Sequence, residues 1–206
     1  METLLLFITT FAAAFAGVFP PGLVNMSVVK MSLERTQKDG LLMAVGASVT
    51  VFFQALLGVV LARYIFKHPD AEGMLLRTGL VILAILFVFF LFQGNKNKNV
   101  KQIKSVSGWS FFKGLGVSAI NLFPIPFFMV LSTLQKKLPG TSYTPIAIFV
   151  FSFAACLGTL LMLYLYIVSF AKLDEKLPKL KKYSNFVMAI LMLILILVTS
   201  VRIYYG

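Results

Sequence analysis

Acidic residues are scarce in this chain: 7 Asp and Glu stand against 19 Lys and Arg in 206 residues, and only 13% of the residues are charged. Ordinary soluble domains carry roughly twice that charged fraction, so water is not the main solvent expected here. A single cysteine, Cys156, excludes an intrachain disulfide and any zinc cluster built on thiolates. The one histidine, His68, lies in a polar stretch beside Lys67 and Asp70. None of the seven acids (Glu2, Glu34, Asp39, Asp70, Glu72, Asp174 and Glu175) falls inside a predicted span. Chemistry inside a bilayer needs a nucleophile with a base, a carboxylate pair or a metal. Lys30 stands three residues beyond Ser27 and could act as its base, but a lysine at a membrane edge more often snorkels to headgroups. The chain is therefore read as a non-enzyme with no cofactor and no metal.

What is there instead is apolar. Hydrophobic residues make up 59% of the chain and its mean hydropathy is +0.92. The net charge of +12 does not indicate nucleic acid, because the lysines sit in short clusters between long uncharged runs, as basic residues do beside membranes.

Six uncharged runs organise the sequence, residues 3–29, 41–62, 78–95, 114–135, 138–171 and 183–201, with lengths of 27, 22, 18, 22, 34 and 19. About 20 helical residues cross a hydrocarbon core, so each run holds one crossing. Pro139, Gly140 and Pro145 stand early in the fifth run, and its helix is expected to begin around Thr144. The runs lack an alternation of apolar and polar residues, which excludes a barrel. The first run has no basic start, Glu2 being the only charge before Lys30, so it is read as a retained span rather than a cleaved signal.

Basic residues set the orientation. Lys30, Arg35 and Lys38, then Lys96, Lys98, Lys101, Lys104 and Lys113, then Lys172, Lys176, Lys179, Lys181 and Lys182 put thirteen positive charges on one side, against six on the other. The richer side is expected in the cytoplasm and both termini outside. The acid-free loop from Lys96 to Lys113 suits anionic lipid, although topology alone accounts for its charge.

The two halves match. Pro20-Pro21-Gly22 interrupts the first span and Asn121 to Pro126 the fourth, with Pro21 and Pro124 separated by 103 positions, half the chain. Three spans per half is an odd number, so the second half enters the membrane upside down, as in transporters whose paired broken helices mark a midplane site. Two ordinary proline kinks are the alternative. Proline lacks an N–H, so Pro20, Pro21, Pro124 and Pro126 are expected to free the carbonyls of Ala16, Gly17, Ile120 and Leu122. The half-helices that follow would offer N–H groups and a positive dipole end, and a site with acceptors and donors suits a zwitterion. Asn25 and Asn121 add amides near the breaks, either for substrate or for opened backbone. Ser48, Thr50, Gln54, Ser118, Ser152 and Thr159 are the polar residues that could line a cavity, and Thr50 and Gln54, four apart, share a helix face.

Pro21-Gly22 with Asn25 beyond it, the turn ending at Asp39-Gly40, and Ala44-Val45-Gly46 opening the second span resemble the lysine-exporter (LysE/RhtB) family of amino-acid exporters. Phe112-Lys113-Gly114 running into Ile120-Asn121 and then prolines resembles that family's second signature. Where members read Pro-Gly-Pro and Asn-Pro-Lys, this chain has Pro21-Gly22-Leu23 and Asn121-Leu122-Phe123-Pro124; where many carry an acid in the second span, it has Val51. Without a buried carboxylate to pair a basic side chain, the resemblance implies a neutral amino acid or a related metabolite.

The expected fold is thus an all-α membrane protein, a single transmembrane domain of six helices in two inverted three-helix repeats. The repeats cover residues 1–95 and 110–206, with a basic cytoplasmic loop at 96–113 and with the first and fourth helices broken at Pro/Gly. The expected function is secondary transport in the cytoplasmic (inner) membrane, with Pro20, Pro21, Gly22, Asn25, Asn121, Pro124, Pro126, Thr50 and Gln54 at the substrate site. A channel or a non-transporting scaffold is the alternative. The partners are a small-molecule substrate and the lipid bilayer, with a homo-oligomer compatible and nucleic acid excluded.

Overall fold

The computed structural model describes residues 2–20, 22–67, 109–135 and 144–170, together with isolated helical positions between 80 and 88 and between 190 and 204. All secondary structure among the described residues is helical. The elements are α1 (Glu2–Val18), α2 (Leu23–Glu34), α3 (Gln37–Lys67), α4 (Ser110–Ile120), α5 (Pro124–Gln135) and α6 (Pro145–Phe170). The third and sixth predicted spans lie largely outside the described residues, as do Pro21, His68 and the lysines from Lys96 to Lys104.

The helix starts have local causes. Thr36 caps α3: its hydroxyl accepts the Asp39 N–H at 3.0 Å, an N-cap bond, and donates to Asp39 Oδ2 at 2.9 Å. The other carboxylate oxygen of Asp39 accepts from Ser110 Oγ at 2.7 Å, so one side chain ties the start of α3 to the start of α4. Thr144 accepts the Ala147 N–H at 3.2 Å, and Pro145 takes the first position of α6, where its missing N–H costs nothing. That is the start expected for the fifth span. α4 begins at Ser110, four residues before its uncharged run, because a lysine such as Lys113 does not stop a helix.

Two helices, α3 and α6, are long and apolar enough to cross a bilayer, and two bent pairs pass the same test together. α1 and α2 meet at 73°, and α4 and α5 at 69°. The described residues thus supply two spans, or up to four if each bent pair is one. Phe53, Leu57, Phe149 and Phe153 stand exposed along α3 and α6, large apolar side chains that suit lipid and not water.

The chain divides into two compact units. The first comprises residues 1–19, 23–63 and 105–174 and holds two apolar clusters. In one, Val51, Ala55 and Val59 of α3 pack with Leu6, Ala14, Phe128, Phe151 and Ala155. In the other, Met43, Ala44 and Ala47 of α3 pack with Val24, Val28, Leu163 and Ile167. Each cluster thus takes one half of α3 and one half of α6. The second unit comprises residues 20–22, 64–104 and 175–206 and is described only at Pro20, Gly22, 64–67 and the isolated helical positions.

One face of α3 positions the second break. Gly46, Thr50, Gln54 and Gly58 lie four apart and therefore in line. Gly46 lies against the backbone of Phe111 and Leu115, and Thr50 Oγ1 donates to the Leu115 carbonyl at 3.2 Å. Gln54 reaches Ser118 and Asn121, and Gly58 lies against Ile125 and Met129. A single unbroken helix thus tracks α4, the break and α5 in sequence. Two glycines bring the backbones together, and the polar pair between them faces the interruption.

Candidate functional site

A broken helix exposes carbonyls that lipid cannot satisfy, so side chains must reach them. At the second break the Gln54 amide does this. Its Nε2 donates to the Ser118 carbonyl at 3.1 Å and to the Asn121 carbonyl at 2.8 Å. Two carbonyl acceptors fix which end of the amide is nitrogen. Gln54 Oε1 therefore points elsewhere, and it is buried without a partner. Beside it the Ser118 hydroxyl is also buried and unpartnered. Ser48, Ser152 and Thr133 each donate to the carbonyl four residues earlier on their own helix, whereas Ser118 shares its lack of a partner with Ser32 and Thr159, and it alone of these three adjoins a second orphaned atom at a helix break.

At the first break Asn25 and Tyr166 serve the opened backbone. Asn25, 4% exposed on α2, donates through Nδ2 to the Val18 carbonyl at 2.6 Å. The Tyr166 hydroxyl of α6 donates to the Phe19 carbonyl and also bonds the Asn25 side chain.

The expected carbonyls are mostly not the ones left for side chains. Ala16 accepts the Phe19 N–H at 3.1 Å and Leu122 accepts the Ile125 N–H at 3.2 Å, because short turns close both breaks; side chains instead reach Val18 and Phe19, after the expected pair, at the first break, and Ser118 and Asn121, one to two residues before the expected pair, at the second. The donors expected from the second half-helix are likewise spent. Pro124 and Pro126 have no N–H, the Ile125 N–H is used by that turn, and the Phe127 N–H goes to the Phe123 carbonyl at 3.3 Å. Asn121 takes part through its backbone: its carbonyl meets Gln54 and its N–H meets the Ser118 carbonyl at 3.0 Å.

The structure thus brings Thr50 and Gln54 of α3 to α4 and Asn121, places Pro124 and Pro126 in the first turn of α5, and places Asn25 at the first break. Pro20 and Gly22 lie in the second unit and Pro21 outside the described residues. Lys30 pairs with Glu34 at 3.4 Å, and Ser27 donates to the Leu23 carbonyl at 2.7 Å, so the two do not face each other as base and nucleophile.

Tyr166 and a second polar cluster were not singled out in the sequence. Gln135, at the end of α5, donates to Thr9 Oγ1 at 2.9 Å and to Thr10 Oγ1 at 3.1 Å, joining α5 to α1 with Gln135 and Thr10 both buried. The available signal was an adjacent threonine pair inside an otherwise apolar run. Gln135→Leu is expected to lower stability by about 1 to 2 kcal/mol through loss of these bonds, seen as a lower Tm in detergent, whereas truncating the exposed Leu134 to alanine should change little.

Apolar helices, two bent pairs among them, with neutral polar side chains buried at the breaks, mark an integral membrane protein. The family model for LysE type translocators matches residues 15–201, and the chain belongs to that family, whose members are membrane transporters of amino acids or related compounds. No curated protein and no solved structure matches the chain.

Proposed function

We propose that this protein exports a neutral amino acid, or a closely related polar metabolite, across the cytoplasmic membrane. The observation that carries this reading is that every buried polar side chain among the described residues is neutral. A basic or acidic substrate side chain would enter such an interior with no opposite charge to pair it, at a cost of several kcal/mol. A zwitterion brings no net charge and finds amides and hydroxyls able to donate and accept. Asn25, Thr50, Gln54, Asn121, Pro124 and Pro126 are its proposed site, with Pro20, Pro21 and Gly22 shaping the first break. The similar bends of 73° and 69° support two inverted repeats with six spans in all, and the basic asymmetry supports termini on the outer side.

The test is counterflow in proteoliposomes with neutral, basic and acidic amino acids. Accumulation of neutral members alone is the expected result. Accumulation of lysine or arginine would overturn the neutral assignment, and silence across the panel would overturn amino-acid transport.

A further inference from the structure

We propose that Gln54 Oε1 and Ser118 Oγ together form the seat of a primary ammonium group, so that the second helix break binds the amino end of the transported solute. The inference rests on the transport reading for its ligand and goes beyond it in assigning an orientation. Three observations carry it.

The first is the pair of orphaned atoms. Gln54 is 6% exposed and Ser118 1% exposed, and the amide oxygen of one and the hydroxyl of the other lack partners. Buried polar groups are nearly always satisfied, and two unsatisfied ones on adjoining side chains call for a donor from outside the chain. The second is the accounting of donors. The first four positions of α5 have no free N–H to give, so the half-helix start that would ordinarily hold an anion has no donors of its own. A carboxylate would be repelled by the Gln54 amide oxygen, which can only accept, whereas an ammonium, with three donors and no acceptor, fits both that oxygen and the Ser118 hydroxyl oxygen. The third is the field. Ser118 lies in the last turn of α4, where the helix dipole is negative and favours a cation. The positive end of α5 opposes this, but its axis is turned away by 69° and its first turn is led by prolines.

The experiment uses thermal unfolding of the purified full chain in detergent, with n-butylammonium, tetramethylammonium or butyrate added at equal ionic strength. Butylammonium should raise the Tm, while tetramethylammonium, which has no N–H, and butyrate should not. Ser118→Ala should abolish the rise, as should Gln54→Met; Ser152→Ala, whose hydroxyl serves its own helix, should keep it. In transport, Ser118→Ala should weaken the apparent affinity for an accumulated amino acid by about tenfold. Should Gln54→Met not fold, Ser118→Ala decides alone. Equal stabilisation by tetramethylammonium, or an undiminished rise in Ser118→Ala, would overturn the seat. Counterflow separates the two claims. Accumulation of amino acids without any ammonium-specific stabilisation removes the seat and leaves the transporter. Ammonium-specific stabilisation with silent counterflow keeps the seat and removes amino-acid transport.

Discussion

Gly114→Ala should destabilise the protein by more than about 2 kcal/mol, and Gly114→Val should prevent it from accumulating in folded form. A Cβ at Gly114 would be driven into the Met43 carbonyl and would lie 2.9 Å from the Ala47 nitrogen, and both obstacles are backbone, which cannot swing aside. On the other helix, Gly46 faces the Phe111 carbonyl and the Leu115 nitrogen, so two glycines bracket one crossing of α3 and α4. The buried residues of α4 are Ser110, Gly114 and Ser118, a stripe of small side chains four apart that permits this approach. Alanine has the better helix propensity by about 0.8 to 1 kcal/mol, but separating two packed helices costs more than that gain. Gly116 supplies the opposite sign, because nothing lies within 4 Å of its would-be Cβ and only the propensity gain remains. Gly116→Ala is therefore expected to be neutral or to stabilise by up to about 1 kcal/mol. Gly46→Ala combined with Gly114→Ala should cost less than the sum of the two, since the first Cβ already parts the helices. Thermal unfolding in detergent measures all four, and a Gly114→Ala variant as stable as Gly116→Ala would refute the close crossing.

The same crossing shows what could be read from the sequence and what could not. Long uncharged runs and prolines announce themselves in one dimension, which is why the breaks, the start of α6 at Pro145 and the shared face of Thr50 and Gln54 were legible. Gly46 and Gly58 extend that face to four residues, but a glycine in an apolar run carries no signal of direction, so the stripe that follows the broken span was invisible. The carbonyls that side chains reach were placed too early at the first break and too late at the second, because removing a proline N–H identifies the expected missing bond but not the short turn that replaces it. Tyr166 reads in sequence as one more aromatic residue of an apolar helix. Only the fold carries its hydroxyl 147 positions back to Phe19. Ser118 stood in the sequence as one of six polar residues able to line a cavity with nothing to set it apart, and its neighbours on α3 and α4 are what single it out.

Gln54→Leu separates a strut from a ligand, because the two roles shift different quantities. Leucine nearly keeps the volume, so no sizeable cavity opens. Ser118's carbonyl retains the Asn121 N–H at 3.0 Å, but the Asn121 carbonyl loses the 2.8 Å bond from Gln54. Leaving that carbonyl unsatisfied costs about 1 to 3 kcal/mol. Removing the unpartnered Oε1 returns a desolvation cost of similar size, so the net stability change should stay within about 2 kcal/mol. Transport has no such compensation: losing one hydrogen bond to a charged group of the substrate costs roughly 1.5 to 3 kcal/mol, about tenfold or more in apparent affinity. Gln54→Glu should be the worse variant for folding, because at neutral pH its carboxylate presents only acceptors to the Ser118 and Asn121 carbonyls in place of a donor. The expected pattern is therefore a folded Gln54→Leu protein that transports poorly and a Gln54→Glu protein that is recovered in low yield. Should Gln54→Leu lose more than about 3 kcal/mol while each surviving molecule transports with unchanged affinity, Gln54 is a strut for the broken helix and the substrate binds elsewhere.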